Sequence, residues 1–343
     1  MAESAVDLSV ETLDPYLSAH VAGFRGLQSI QKFSGGQSNP TYRLNAKSGS
    51  YVLRRKPFGE LLKSAHAVDR EFRVMRALAG SAVPVPQTLH LCEDDTVIGA
   101  MFFIMAFVDG SIHWDPALPD HDAEGRSKIF DEMNRILAAL AAIDIDAVGL
   151  ADYGKPGNYY ERQIGRWTRQ YRASETAPIP SMETLIDWLP ANVPADDLGV
   201  SLVHGDYRLD NMVFAADGQA LAVLDWELST LGHPLADLAN QCMQLRMPGN
   251  TRMRGLGGLD RAALGIPTEA AYVELFCERA GIDAIDDWPF YLAFCFFRLA
   301  GIIQGVYKRS LDGNASSTNA ADYGAMVAPL ANAAVELLEG RAG

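Results

Sequence analysis

The sequence predicts an α+β fold in two lobes, a small one over residues 1–106 and a larger one over residues 107–343. Three observations carry this expectation. Short apolar runs separated by turn residues crowd the first lobe, with one amphipathic helical run among them. Long amphipathic runs dominate the second lobe. Within the second lobe sits one short hairpin whose two ends are flanked by polar residues. The small lobe therefore reads as an antiparallel sheet plus a helix, and the large lobe as mainly helical.

Gln28–Phe33 and Thr41–Leu44 are the first predicted strands, joined through Ser34, Gly35, Gly36, Gln37, Ser38 and Asn39. Two glycines and small polar residues let backbone N–H groups approach phosphate oxygens, although an ordinary hairpin loop has the same composition. No G-x-x-x-x-G-K-[ST] motif occurs. Tyr51–Arg54 is the next strand. Alternation places Val52 and Arg54 on one face, Leu53 and Arg55 on the other.

Ala65–Leu78 has helical spacing, with Val68, Phe72, Met75 and Leu78 as the buried stripe. Glu71 falls inside that stripe. A buried acid needs a partner, and Arg54 is the candidate; the alternative is a Glu at the stripe's edge that reaches water. Met101–Val108 is a buried strand. Its exit, Met105, Ala106, Phe107 and Val108, is the expected hinge between the lobes, where adenine would meet the backbone. Met105 and Phe107 fit plain core packing as well.

In the large lobe, Ser127–Ile143 and Tyr159–Arg172 read as amphipathic helices. Residues 177–180 and 190–194 are proline-marked loops. Pro248–Pro267, with five glycines, reads as a flexible connection. Ala270–Ala280, Trp288–Lys308 and Tyr323–Leu338 close the chain as helices.

The chemistry is concentrated in HGDYRLDN, His204–Asn211, and in Asp225 of VLDWE, nineteen residues after Asp206. Met212–Phe214 and Ala220–Leu224 are short apolar runs around the turn signal Asp217-Gly218. A hairpin brings the start of its first strand beside the end of its second, so Asn211 and Asp225 should meet. An amide oxygen and a carboxylate are hard ligands suited to Mg²⁺ on nucleotide phosphates. Asp206, on the loop leading in, is placed to take a proton from an attacking hydroxyl. Those residue types in that order are what phosphoryl transfer from a nucleotide requires.

With these motifs the sequence resembles the aminoglycoside phosphotransferase and choline kinase superfamily, from about Ile30 to Tyr307. HGDYRLDN, VLDWE and GHPLADLA carry the likeness. YVLRRKPFGELLKSAHAVDREFRVMRAL, HGDYRLDNMVF, LDWELSTLGHPLADLA and YKRSLDGNASS are similar to the phosphotransferase domains associated with acyl-CoA dehydrogenases. The resemblance implies a protein-kinase-like fold, with ATP and Mg²⁺ as cofactors. It implies Asp206 as catalytic base, Asn211 and Asp225 as Mg²⁺ ligands, and Arg54 paired with the phosphates and Glu71. His204 would brace the catalytic loop, and Asp237 would be a structural carboxylate beneath it. Two departures stand out. Arg54 replaces the lysine that protein kinases carry at the matching place, and Arg holds phosphate with a different geometry. Trp226-Glu227 replaces the Phe-Gly that follows the metal Asp there, which argues against a mobile activation loop and a protein substrate.

The expected function is phosphorylation of a small molecule's hydroxyl, such as that of a hydroxyacyl-CoA. Aminoglycoside, choline or sugar phosphorylation and a nucleotide-binding pseudokinase are the alternatives. Arg162, Arg166 and Arg169 fall on one helix face near Arg172, as an anion-binding stripe or as a solvated face paired with Glu161 and Glu175. Arg208, Tyr159 and Tyr307 are further substrate candidates, with Tyr160, Trp167, Arg298 and Gln304 near the same expected cleft.

A net charge of −14 disfavours nucleic acid and anionic membrane surfaces. The start of the sequence lacks a signal peptide's pattern, and 97–108 is the longest apolar stretch noted, too short to span a bilayer. Cys92, Cys242, Cys277 and Cys295 are scattered and read as reduced core thiols. A cytoplasmic location is the expectation.

Overall fold

A computed structural model describes residues 8–33, 39–58, 67–195, 198–249, 254–313 and 320–340. The first lobe contains α1 (Val10–His20), β1 (Leu27–Lys32), β2 (Thr41–Ala46), β3 (Gly49–Arg55), α2 (Val68–Leu78), β4 (Thr88–Cys92) and β5 (Phe102–Ala106). Its five strands form one antiparallel sheet in the order β1-β2-β3-β5-β4. Strand alternation sorts β3 as its sequence predicts. Leu53 packs on the α1 face with Leu13 and Leu17, while Val52 packs on the α2 face with Phe72 and Met75. The predicted start of α2 at Ala65 lies outside the described residues.

The second lobe continues with α3 (Ala123–Ala141), α4 (Tyr159–Ser174), α5 (Pro180–Ala191), β6 (Ser201–Val203), β7 (Met212–Phe214), β8 (Ala220–Val223) and β9 (Thr230–Gly232). It ends with α6 (Ala236–Arg246), α7 (Arg261–Leu264), α8 (Glu269–Ala280), α9 (Trp288–Leu311) and α10 (Ala320–Leu338). β7 and β8 pair antiparallel, and β6 pairs with β9. One large apolar cluster runs from the α2 face of the sheet through the helices of the second lobe. The link between the lobes is stitched to the hairpin: Ser111 N–H donates to the Phe214 carbonyl at 2.8 Å, and Phe214 N–H returns the bond at 2.8 Å.

Several elements depart from expectation. α1 forms through Pro15, which reads as a breaker in isolation; Ser9 caps it by accepting from Thr12 N–H. Pro180 opens α5 instead of marking a loop, because the first helical turn has no use for its missing N–H. α6 escaped periodicity because it is buried nearly all round, from Ala236 to Met243. The expected flexible connection after Pro248 is anchored: Pro248 bridges Gly257, Leu256 and Ile266 are buried, and α7 lies within it. α9 is a longer apolar run than 97–108 and could cross a membrane by length and composition, yet 67% of that window is buried in this fold. The four cysteines are free and buried.

Candidate active site

The loop His204–Asn211, expected to be catalytic, follows β6 and is held from below. Asp237, at the start of α6, accepts from His204 N–H at 2.6 Å and from Gly205 N–H at 2.8 Å. Burial pushes the Asp237 carboxyl above its ordinary range, against the pull of His204 and those two bonds. His204 is fully buried and uses both ring nitrogens on the backbone. Its Nε2 donates to the Leu224 carbonyl at 2.9 Å, so its Nδ1 accepts from Asp206 N–H at 3.2 Å. The ring thereby joins the catalytic loop to the end of β8. Gly205 has φ +85°, and a Cβ there would stand 2.7 Å from the Leu228 carbonyl oxygen, so only glycine fits. Tyr207, buried, ties the loop to α3 by donating to the Met133 carbonyl at 2.8 Å. From α9, Arg298 donates to the Gly205 carbonyl at 2.9 Å.

These braces leave the Asp206 side chain about one-third exposed. Asn211 Nδ2 donates to the Asp206 carbonyl at 2.9 Å and to its Oδ2 at 3.1 Å. The amide nitrogen is thus turned toward Asp206, which leaves the amide oxygen as the end that could meet a cation. Leu224 N–H donates to the Asn211 carbonyl at 2.8 Å, so the hairpin brings the Asn211 backbone to the residue before Asp225. Asp225 itself adopts left-handed backbone angles, φ 62° and ψ 60°. Trp226 follows in a short 3₁₀ turn and is fully buried, with its Nε1 donating to the Val223 carbonyl at 2.9 Å.

Arg54 connects the sheet to this turn. Its Nε donates to Glu71 at 2.8 Å, its guanidinium also binds Asp225, and Glu227 lies at 3.6 Å. Burial pulls the guanidinium down, but Glu71, Asp225 and Glu227 outweigh it and hold it above its ordinary value. Glu71 is 2% exposed; burial pushes its carboxyl up, to about 7, against Arg54. Asn39 donates to Glu227 at 3.2 Å. The residues from Ser34 to Ser38, expected to cradle phosphate, lie outside the described residues. At the hinge, Met105 is buried in β5, Ala106 N–H donates to the Gln87 carbonyl at 2.8 Å, and Phe107 N–H to the Ser50 carbonyl at 3.3 Å. Those two amides are thus engaged within the protein and do not face a base. Val108 is the next peptide along.

Asp206 opens onto a cavity of about 820 Å³ between the catalytic loop, α6 and α9, with Tyr323 of α10 on its wall. Arg208 is on its wall and pairs with Asp210. Arg298 and Arg254 add two more guanidinium groups, and Leu299, Ile302 and Ile303 an apolar side. The other substrate candidates are elsewhere. Tyr159 is core: it packs against Gly232 and Tyr160, and burial pushes its hydroxyl up to about 12. Tyr307 packs against Gly324, and Gln304 bonds the Ser174 carbonyl at 2.7 Å. Arg162 binds the Lys155 carbonyl, Arg166 stacks 5.4 Å from Trp167, and Arg172 pairs with Glu175 and Glu183. Helical spacing puts the arginines on one face, but Arg162, Arg166 and Arg169 do not line the cavity. Asn240, Gln241, Gln244, His113 and Trp114 line the cavity without having been singled out from sequence.

A family model described as the phosphotransferase enzyme family matches residues 29–273. The chain belongs to this family. The phosphotransferase is 49% identical to a Ralstonia eutropha protein described as a candidate aminoglycoside phosphotransferase, with TM-score 0.89 and 97% and 98% of the two chains covered. It is 48% identical over 311 residues to acyl-CoA dehydrogenase family member 10 of Mus musculus, a match over 90% of this chain and 29% of that relative. The phosphotransferase spans less than half the length of the curated relatives it matches. A mutant of aminoglycoside phosphotransferase APH(4)-Ia, in complex with AMP-PNP and hygromycin B, shares its fold at 17% identity and TM-score 0.62, over 95% of this chain and 98% of that one. The kinase-like two-lobed fold accords with this membership.

Proposed function

We propose that the phosphotransferase is an ATP- and Mg²⁺-dependent kinase whose acceptor is a hydroxyacyl-CoA or a related hydroxy compound. The observation that carries this reading is that Asp206, anchored by Asn211, opens onto a cavity with an apolar side and three arginines. A hydroxyl bound there lies beside a carboxylate that accepts its proton while the oxygen attacks the γ-phosphorus in line and ADP leaves. Asn211 and Asp225 supply one amide oxygen and one carboxylate, a donor set that fits a hard cation retaining several waters. Bound Mg²⁺ would neutralise charge on the nucleotide phosphates. Arg54, held between Glu71 and Asp225, is positioned to reach those phosphates from the sheet side.

The cavity favours an acyl acceptor over an aminoglycoside. A polycationic sugar calls for carboxylates, yet on this wall Asp206 and Asp210 are outnumbered by Arg208, Arg254 and Arg298, which stand beside Ile302 and Ile303. The likeness to an acyl-CoA dehydrogenase family member supports the same choice. The test is ADP release from Mg-ATP across hydroxyacyl-CoAs, free hydroxy acids, aminoglycosides, choline and sugars, with Asp206→Ala as the blank. The variant should bind ATP normally and lose at least about 10²-fold in kcat. Turnover confined to aminoglycosides would overturn the acyl assignment. Tight Mg-ATP binding with no turnover on any acceptor would favour a pseudokinase.

A further inference from the structure

We propose that Leu228, Ile302 and Trp114 determine acceptor specificity by binding the hydrocarbon chain that extends beyond the hydroxyl to be phosphorylated. The inference rests on the reading of the 820 Å³ cavity as the site of a hydroxyacyl acceptor. Large apolar side chains scattered singly over a surface need no explanation, whereas several exposed ones gathered in one concavity mark a binding surface. Among the described residues seven are exposed, and these three stand on the wall of this one cavity, Trp114 at 67%, Leu228 at 52% and Ile302 at 37% exposure. They come from three separate segments: the link between the lobes, the turn after Asp225, and α9.

Two of the three are registered against the residue before the base. The Leu228 carbonyl oxygen would stand 2.7 Å, and its Cβ 3.1 Å, from a Cβ at Gly205. Arg298 reaches the same Gly205 by donating to its carbonyl at 2.9 Å. Ile302 follows Arg298 by four residues on α9, so it lies on the same face about 6 Å further along the helix. The turn after Asp225 and α9 thus both touch Gly205, and each carries an exposed apolar side chain beside that contact. Trp114 is set by its neighbours: the His113 ring packs 5.5 Å from that of Phe214, and Asp115 accepts from Arg254 at 3.1 Å. An alkyl chain that covers these three side chains gains the free energy of removing apolar surface from water. A sugar, polar on nearly every carbon, gains little there and loses hydration.

The test measures kcat/KM on 3- and 4-hydroxyacyl-CoAs whose chain beyond the hydroxyl carbon has one, three or five carbons. Wild type should gain at least about tenfold from one carbon to five, against a ceiling of about fourfold for each methylene fully buried. Leu228→Asn, Ile302→Thr and Trp114→Gln, each replacing an exposed apolar side chain by a polar one, should cut that gain by at least about twofold, and the triple variant should abolish it. Because the positions are exposed, melting points of the single variants should stay near that of wild type. A flat wild-type series would overturn the assignment and leave the kinase reading standing. Equal losses on every chain length, with the gain intact, would make these side chains supports of the loop and overturn it too. If wild type phosphorylates none of the series, the acyl reading itself falls, and this assignment with it.

Discussion

On the sheet side of the site Arg54 is held by Glu71, Asp225 and Glu227, whereas in α6 Asn240 is buried with its Nδ2 unpaired. The two places obey the same rule with different magnitudes. An unpaired buried charge costs several kcal/mol, so the fold supplies Arg54 with carboxylates of its own. An unpaired neutral amide costs about 1–3 kcal/mol, which a folded domain can tolerate. On the proposed reading, nucleotide phosphates that reach Arg54 compete with the carboxylates that hold it.

The strongest way to break the phosphate end is Asp225→Ala. Mg-ATP affinity by titration calorimetry should fall by more than the roughly 10–100-fold that losing even an outer partner of a metal ligand costs. Unchanged affinity would remove Asp225 from the metal site.

Glu71 separates the contributions of charge and burial. Its value in the folded protein is pushed up to about 7, above its ordinary range, so it takes up a proton as pH falls through about 7 and releases Arg54. kcat/KM should decline on that acid side, and Glu71→Gln should flatten the limb at a lower plateau. Linkage gives stability the opposite sign. A raised acid contributes stability that is present below its unfolded value and lost as pH rises through about 7. Thermal melts of Glu71→Gln should therefore lack that loss. A wild-type acid limb retained in the variant would assign the titration to another group.

Arg298→Met tests the braces of the acceptor end. Losing the bond to the Gly205 carbonyl should lower kcat about tenfold, the worth of one charged hydrogen bond, without changing ATP affinity. A change confined to KM for the acceptor would assign Arg298 to the substrate alone and remove it as a brace. The smallest effect belongs to Arg166→Ala. That side chain is off the cavity wall, so acceptor KM should stay within about twofold. A larger rise would bring the arginine stripe back as a binding surface.

How far the sequence could be read follows the same division. The Asp217-Gly218 turn and the apolar runs beside it were enough to bring the Asn211 backbone next to the end of β8, because hairpin geometry is local. Glu71 on the buried stripe of α2 needed a cation, and strand alternation left Arg54 facing it. Both are short-range periodicities combined with one rule about buried charge. Asn240 gave no such signal. It sits in a helix buried on almost every side, so the helical spacing of Asp237, Asn240, Gln241 and Gln244 marks a shared face without saying what that face meets. That Tyr159 and the arginines of α4 stand off the cavity has a related reason: helical spacing says which residues share a face, and nothing about which neighbour that face meets.

Alone, the sequence determined the two-lobed α+β fold, the phosphotransferase family and the order of acid, amide and acid along the catalytic segment, since these depend on local pattern and short spacing. The tertiary structure decided what surrounds them. Arg298 reaches Gly205 from a helix 93 residues away, and α9, α10 and α6 meet to shape the acceptor cavity. Contacts between distant segments are fixed by how whole faces pack, and no local pattern in the chain records which residues will meet across them.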